Sequence, residues 1–179
     1  MDKVLYQFHF DFLNFMWSFI PLLVGLVFFF AWKWYPKQNP GTEIKGHRGH
    51  KMYLAVRTIG WIVGPFCILI FIGGVLGYLS TYNNIKKMIA TDNLHEVSGY
   101  VENYHPMPAG GHDTEHFDIN GVYFGYSDAV IENGYHAPAI NGGVITHDGQ
   151  HLLIKYYVSN DDIGNGVNNN VIVYIAQLP

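Results

Sequence analysis

Two uncharged apolar stretches dominate the first half of the chain. The first covers residues 13–32 and the second covers residues 58–79, and neither contains Asp, Glu, Lys or Arg. A helix of about 20 residues crosses the hydrocarbon core of a bilayer, so each stretch is long enough to span a membrane. Soluble core helices seldom carry so long an uncharged apolar run. The pattern therefore predicts two transmembrane helices.

Small residues recur along the second stretch at the spacing of one helix face. Helices in lipid pack closely where small side chains face each other, so this stripe predicts a helix–helix contact. The contact joins either the two spans into a hairpin, which we favour, or two copies of the chain. We expect Pro21 and Pro65 to bend the two helices, because proline removes a backbone hydrogen bond. The predicted packing residues are Gly60, Gly64, Gly73, Gly74 and Gly77.

The charges around the two spans predict their orientation. Residues 33–57 carry six Lys or Arg and one acid, whereas the twelve residues before the first span carry only Lys3 as a base. Short loops rich in Lys and Arg stay in the cytoplasm, so both ends of the chain are expected in the periplasm of a bacterial inner-membrane protein. A cleavable signal peptide fits poorly, because the first apolar run is too long and its leader is barely basic.

In the C-terminal half the apolar positions alternate with polar ones, which is the period of a β-strand. An Asn-Gly pair at 120–121 and an Asp-Gly pair at 148–149 lie between alternating segments, and each predicts a hairpin. In the second hairpin, residues 144–147 are expected to pair with residues 152–158. A last strand is predicted over residues 171–176. Five or six antiparallel strands predict a small OB-like or SH3-like barrel, with a two-layer sandwich as the alternative.

Composition agrees with a membrane-anchored β domain, since only 13 % of the residues are charged and 49 % are hydrophobic. The single cysteine, Cys67, excludes an intrachain disulfide. The predicted parts are a leader (1–12), a first span (13–32), a basic loop (33–57), a second span (58–79), a linker (80–93) and a β-barrel domain (94–179).

The net charge of −4 is divided unevenly along the chain. Residues 1–87 carry a charge of +6, whereas residues 88–179 carry −10 and have Lys155 as their only base. A domain of that charge repels phosphate, so no nucleic acid polymer is expected as a partner. An acidic surface instead favours basic partners or cations.

Four short motifs stand out in the β domain. They read V-S-G-Y-V-E-N-Y-H-P-M-P at 97–108, E-H-F-D-I-N-G-V-Y-F at 115–124, Y-S-D at 126–128 and N-G-G-V-I at 141–145. Together they resemble a family of uncharacterised small bacterial proteins, in which V-x-G-x-V-E-N-F-x-P-M-P precedes E-x-F-x-V-N-G-V-x-F-x-Y-S-D and G-G-x-I. Tyr104 stands where that family usually has Phe. The resemblance implies a β domain and attaches no activity to it.

Three histidines make the Gly- and Pro-rich segment 105–116 the best candidate for a metal site. Imidazoles bind zinc and other transition metals, and Asp113, Glu115 and Met107 offer further ligands. The alternative, which we favour, is a set of exposed loop histidines. No catalytic residue and no cofactor are predicted. The candidate metal ligands are His105, His112 and His116, and the candidate ligand or partner surface comprises Tyr104, Tyr126, Asp128, Gly142 and Gly143.

Two functions of different class are consistent with these patterns. The first, which we favour, is a non-enzymatic membrane protein that displays an acidic β-barrel to a protein partner or to further copies of itself. The second is a ligand-gated effector, because two N-terminal spans followed by a minimal β-barrel resemble the effectors of bacterial cyclic-oligonucleotide anti-phage defence. That resemblance implies a cytoplasmic barrel that binds the nucleotide and spans that oligomerise to disrupt the membrane. A metal-dependent hydrolase that uses the three histidines is a third hypothesis.

Overall fold

A computed structural model describes residues 2–41, 44–46, 48–110, 113–128, 133–159 and 169–179. The chain divides into a helical unit, residues 11–83, and a β unit that combines residues 1–10 with 84–179. The elements in chain order are β1 (Lys3–Gln7), α1 (Phe12–Trp17), α2 (Ile20–Gln38), α3 (His50–Ala90), β2 (His95–His105), β3 (Glu115–Ile119), β4 (Val122–Tyr126), a 3-10 helix (Ala139–Asn141), β5 (His151–Val158) and β6 (Asn170–Gln177).

The first apolar stretch forms two consecutive helices. The Asp11 carboxylate accepts hydrogen bonds from the backbone N–H groups of Leu13 (2.9 Å) and Asn14 (3.1 Å), and it thereby caps α1. Helix α1 ends at Trp17, and α2 begins at Ile20 with Pro21 in its first turn. Proline fits there because the first turn of a helix leaves its N–H groups unbonded. The expected bend near Pro21 is thus a break between two helices.

The second apolar stretch lies within α3, which is 41 residues long and contains Pro65. This helix continues to Ala90, so most of the predicted linker 80–93 is helical. Only 6 % of the apolar window of the first helical segment and 11 % of that of α3 are buried. A core helix of a soluble protein would be mostly buried. The chain therefore has two helices that are long and apolar enough to span a membrane.

The β unit contains one six-stranded antiparallel sheet, in the order β1-β6-β5-β2-β3-β4. The sheet is not closed into the expected barrel, because within the described ranges the edge strands β1 and β4 form no ladder with each other. The short strand β4 meets β6 only through isolated contacts, such as the 2.9 Å hydrogen bond from Asn170 Nδ2 to the Tyr123 carbonyl. The fully buried core residues include Phe117, Phe124 and Ile154.

The predicted leader supplies strand β1 of this sheet. Lys3 lies opposite Gln177 and Gln7 lies opposite Tyr174 in the antiparallel pairing of β1 with β6. Leu5 and Tyr6 pack against the core of the β unit. The chain therefore leaves this sheet after Gln7 and re-enters it at His95, so all three α-helices are inserted between two strands of one sheet.

The predicted hairpin at Asn120-Gly121 is confirmed, whereas the prediction of a hairpin at Asp148-Gly149 is wrong. Asn120 and Gly121 have φ values of 47° and 79°, as a two-residue turn between β3 and β4 requires. Residues 144–147 form no strand, because the Gln150 side chain accepts hydrogen bonds from the backbone N–H groups of Thr146 (2.6 Å) and His147 (3.2 Å). These bonds replace a ladder, and β5 pairs with β2 and β6. The predicted last strand is confirmed as β6.

Truncation of Tyr6 should destabilise the β unit. The Tyr6 ring packs edge-on against Tyr135 with a centroid distance of 5.0 Å, so Tyr6→Ala removes a half-buried aromatic contact. We expect a loss of about 2 kcal/mol in the free energy of unfolding, measured by denaturation of the full chain in detergent. Val4, on the same strand, is 52 % exposed, and Val4→Ala should change stability by less than about 0.5 kcal/mol. Equal effects of the two variants would show that β1 does not pack on the core.

Candidate functional site

A buried carboxylate holds one end of the sheet together. Glu115 lies in β3 and its side chain has no exposed surface. Its carboxylate accepts hydrogen bonds from the Tyr126 hydroxyl (2.7 Å) and from the Ala139 N–H (2.9 Å to Oε2 and 3.2 Å to Oε1). A buried charge is tolerated only where donors satisfy its oxygens. Glu115 therefore ties β3 to β4 and to the short 3-10 helix.

Three tyrosines surround this carboxylate and keep their protons. Burial raises the pKa of Tyr126 above its usual value, and the neighbouring Tyr135 and Glu115 raise it further. Burial followed by the charge of Glu115 also raises the pKa of Tyr104. The Tyr135 hydroxyl, whose pKa burial raises too, accepts a 2.6 Å hydrogen bond from the Val144 N–H. The protonated hydroxyls fix the segment after β4 against the sheet.

The five residues predicted as a ligand or partner surface lie around this buried cluster. Tyr126 is only 2 % exposed, so it belongs to the core and not to a surface. The Asp128 carboxylate accepts a 2.7 Å hydrogen bond from Asn141 Nδ2, and this pair is exposed. Gly142 has a φ of 87° and ends the 3-10 helix. A side chain at Gly143 would collide with the backbone around residues 137–138.

Two of the predicted metal ligands lie side by side on the outward face of the sheet. His105 in β2 and His116 in β3 are paired in register, and their rings stack with a centroid distance of 4.6 Å. His105 Nε2 lies 3.1 Å from a carboxylate oxygen of Asp113, and His116 Nδ1 lies 3.2 Å from the Thr114 carbonyl. The Thr114 N–H, followed by His105, lowers the pKa of Asp113.

Two carboxylates oppose each other next to these histidines. Glu102 in β2 is in register with Asp118 in β3, and like charges directly opposite in an antiparallel pair are destabilising. Asn103 has a φ of 54° and donates a 2.9 Å hydrogen bond to Asp118. Burial, followed by the charges of Asp118 and Asp113, raises the pKa of the neighbouring Tyr123. We call this surface the acidic face, and it comprises Glu102, His105, Asp113, His116, Asp118 and Tyr123.

The described residues of the acidic face are not arranged as a metal centre. No group of three or more His, Cys, Asp or Glu side chains is placed to hold a metal ion in the part of the chain that the structure describes. Imidazole binds a metal in the plane of its ring, and the planes of His105 and His116 are only 19° apart in a stack. Of the further predicted ligands, Met107 is 7 % exposed and Glu115 is fully buried. His112 lies outside the described residues.

The predicted small-residue stripe lies partly along the contact between the helices. A side chain at Gly60 would meet Trp32 at 2.9 Å, and one at Gly74 would meet Ser18 at 3.5 Å. Gly64 faces an apolar groove of about 420 Å³ that Trp32 and Gly60 also line. Close approach of α3 to the first helical segment thus supports the hairpin interpretation. Gly73 and Gly77 have no such neighbour within 4 Å among the described residues.

Comparison of the chain with family models, with curated proteins and with solved structures found no match. The resemblance of its four motifs to the small bacterial family therefore stays a prediction, as does the architectural likeness to the anti-phage effectors.

Sequence reasoning found the histidines of the acidic face but missed its opposed carboxylates. The Asn-Gly turn fixes the register of β3 and β4, so the pairing of Asp118 with Tyr123 follows from the sequence. The pairing of Glu102 with Asp118 does not, because the β2–β3 connection is long and the register shifts between Glu102 and His105. The structure was needed to place these two side chains together.

Replacement of Glu115 by glutamine should test the buried cluster. An amide keeps the size of the side chain but replaces a charged acceptor with a group that also donates. We expect Glu115→Gln to lower the free energy of unfolding by about 2 kcal/mol, since hydrogen bonds to buried charged groups contribute about that much. Chemical denaturation of the full chain in detergent measures the loss. The same change at the exposed residue Glu102 should cause no loss, and equal stabilities of Glu115→Gln and the unaltered protein would contradict the assigned role.

Proposed function

We propose that this protein is a non-enzymatic integral membrane protein whose β unit binds a cationic segment of a protein partner through the acidic face. The two apolar helices anchor the unit in a bacterial inner membrane. The observation that carries this proposal is the pair of like charges, Glu102 and Asp118, held opposite each other on an outward surface. A cationic side chain between them would convert a repulsion into two attractions.

The distribution of bases supports a cationic partner. Lys155 is the only Lys or Arg in residues 88–179. Its ammonium lies 3.1 Å from Glu96 and 3.7 Å from Asp92, so its charge is already neutralised within the β2–β5 region. The carboxylates of the acidic face therefore have no Lys or Arg of that sequence range available to them. Surface charge of one sign steers a partner of the opposite sign and speeds its association.

The same charges disfavour the ligand-gated effector. A cyclic oligonucleotide is anionic and needs basic side chains to neutralise its phosphates. Residues 88–179 offer it a surface with opposed carboxylates and a single lysine, Lys155, which is already paired. A protein segment rich in Lys or Arg is the better match, and Tyr123 at the rim offers a ring over which a cation can lie.

The pairing of β1 with β6 supports an even number of membrane crossings. Both ends of the helical unit connect to one sheet, so they must lie on one side of the bilayer. The loop between the helices then lies on the other side, and its six bases against one acid favour the cytoplasm for that loop. These two arguments together favour a periplasmic β unit.

Neutralisation of the opposed carboxylates should weaken partner binding and raise the stability of the protein. Glu102→Gln removes the like-charge opposition but leaves the bond from Asn103 to Asp118, so we expect a gain of about 0.2–1 kcal/mol in the free energy of unfolding. The double variant E102Q/D118N should also lose affinity for a fluorescent oligoarginine peptide, measured by anisotropy with the full chain in detergent. A more stable protein with weaker binding indicates a site kept for function.

The control for net charge is D92N/E96Q, which removes two exposed acids that lie beside Lys155 and outside the acidic face. It should bind the peptide nearly as well as the unaltered protein does. If both double variants weaken binding equally, the peptide senses only the overall charge and the acidic face is not the site. If neither weakens it, the cationic-partner proposal fails.

Fusions to the C-terminus test on which side the β unit lies. Alkaline phosphatase is active only in the periplasm, whereas many fluorescent proteins mature only in the cytoplasm. We expect a phosphatase fusion after Pro179 to be active and a fluorescent fusion there to be dark. A pair of fusions after Gly46, in the basic loop, should give the reverse result and serves as the control. Active phosphatase at Gly46 with a bright fluorophore at Pro179 would place the β unit in the cytoplasm.

A further inference from the structure

The loop between α2 and α3 carries the densest positive charge of the chain. Residues 33–57 contain Glu43 as their only acid. All six basic side chains there are exposed, and the structure records no ion pair for any of them among the described residues. Lys155, in contrast, contacts two carboxylates. The six bases, which we call the basic set, are Lys33, Lys37, Lys45, Arg48, Lys51 and Arg57.

Aromatic side chains set the depth of the basic set relative to a bilayer. Trp32, Trp34 and Tyr35 occupy the last turns of α2, and Trp34 is 56 % exposed. Trp and Tyr concentrate at the level of the lipid headgroups. The Lys33 ammonium lies over the Phe29 ring at 5.6 Å, so its stem follows the helix surface on the apolar side of the aromatic belt. Lys37, Lys45, Arg48 and Lys51 come after this belt along the chain and before its level on α3, where the phosphates of a bilayer would be.

The ends of the two helices hold the basic set at this level. Lys33 and Lys37 are one turn apart on α2 and therefore share a helix face. Arg57 on α3 donates a 3.2 Å hydrogen bond to the Tyr53 hydroxyl, which keeps the guanidinium beside its own helix. Lys45 and Arg48 lie in the short connection between the helices. The six cations therefore lie in the last turns of α2, in the first turns of α3 and in the connection between them.

We infer that the basic set binds the headgroups of anionic phospholipids, of the phosphatidylglycerol type, in the leaflet next to the loop. The inference rests on the membrane-spanning part of the proposed function. Charge complementarity carries it, because exposed, unneutralised bases lie at the depth of the lipid phosphates. Each Lys or Arg near an anionic surface strengthens association by about fivefold. A lipid shell enriched in anionic headgroups follows from several such bases.

Quenching of tryptophan fluorescence by brominated lipids tests this inference. The full chain with Trp17→Phe and Trp61→Phe keeps only Trp32 and Trp34, both beside the basic set. It is reconstituted into equimolar phosphatidylcholine and phosphatidylglycerol vesicles in which one lipid or the other is brominated. We expect phosphatidylglycerol to be preferred by about fivefold or more at about 0.1 M salt and less at about 1 M salt, where charges are screened.

A charge-neutralised variant and a matched control assign the effect to the basic set. K37Q/K45Q/R48Q/K51Q should lower the preference several-fold, whereas K3Q/K86Q/K87Q, which removes bases beyond the other end of the spans, should leave it unchanged. Equal quenching by the two lipids in the unaltered protein would overturn the inference while leaving the membrane span intact. Quenching by neither lipid would instead contradict the membrane-spanning function. Should the fourfold variant fail to fold, a preference that does not change with salt would also overturn the inference.

Discussion

The pairing of β1 with β6 is the constraint on which the rest of the molecule depends. It brings the start and the end of the chain into one sheet, so the helical unit of residues 11–83 is inserted between two strands of that sheet. Two antiparallel helices satisfy that requirement, and the close contacts of Gly60 with Trp32 and of Gly74 with Ser18 are its local expression. The proposal of an even number of membrane crossings rests on this closure.

Much of this fold could be predicted from the pattern of the sequence, and the failures have physical causes. Long apolar runs and an Asn-Gly turn are recognised from neighbouring residues alone, so the two apolar helices and the β3–β4 hairpin can be predicted. Strand β1 could not be predicted in the same way, because a short strand directly before an apolar run resembles a leader segment of that run. Residues 6–11 do alternate between apolar and polar side chains, which is a weak sign of a strand. The Asp-Gly turn misleads because Gln150 satisfies the neighbouring backbone groups with its own side chain.

The sheet buries some residues of the candidate site and exposes others. Glu115 and Tyr126 of the conspicuous motifs turn inward and hold the structure together, whereas Glu102 and His105 of the same motifs are exposed. Spacing along one strand shows that His116 and Asp118 share a face, but only the register with β2 brings His105 and Glu102 to them. Motif residues can thus be found from sequence, whereas the surface they build depends on long-range pairing that a single sequence does not encode locally.

Segregation of charge connects the two proposals. The acidic face keeps opposed carboxylates that weaken the sheet, and the basic set keeps cations without ion-pair partners among the described residues. If both were only solvated surface, exchanging acids and bases between them would relieve each repulsion at little cost. Under the two proposals a bilayer would keep them apart, with anionic headgroups to neutralise the bases on one side and the acids on the other side available to a cationic partner.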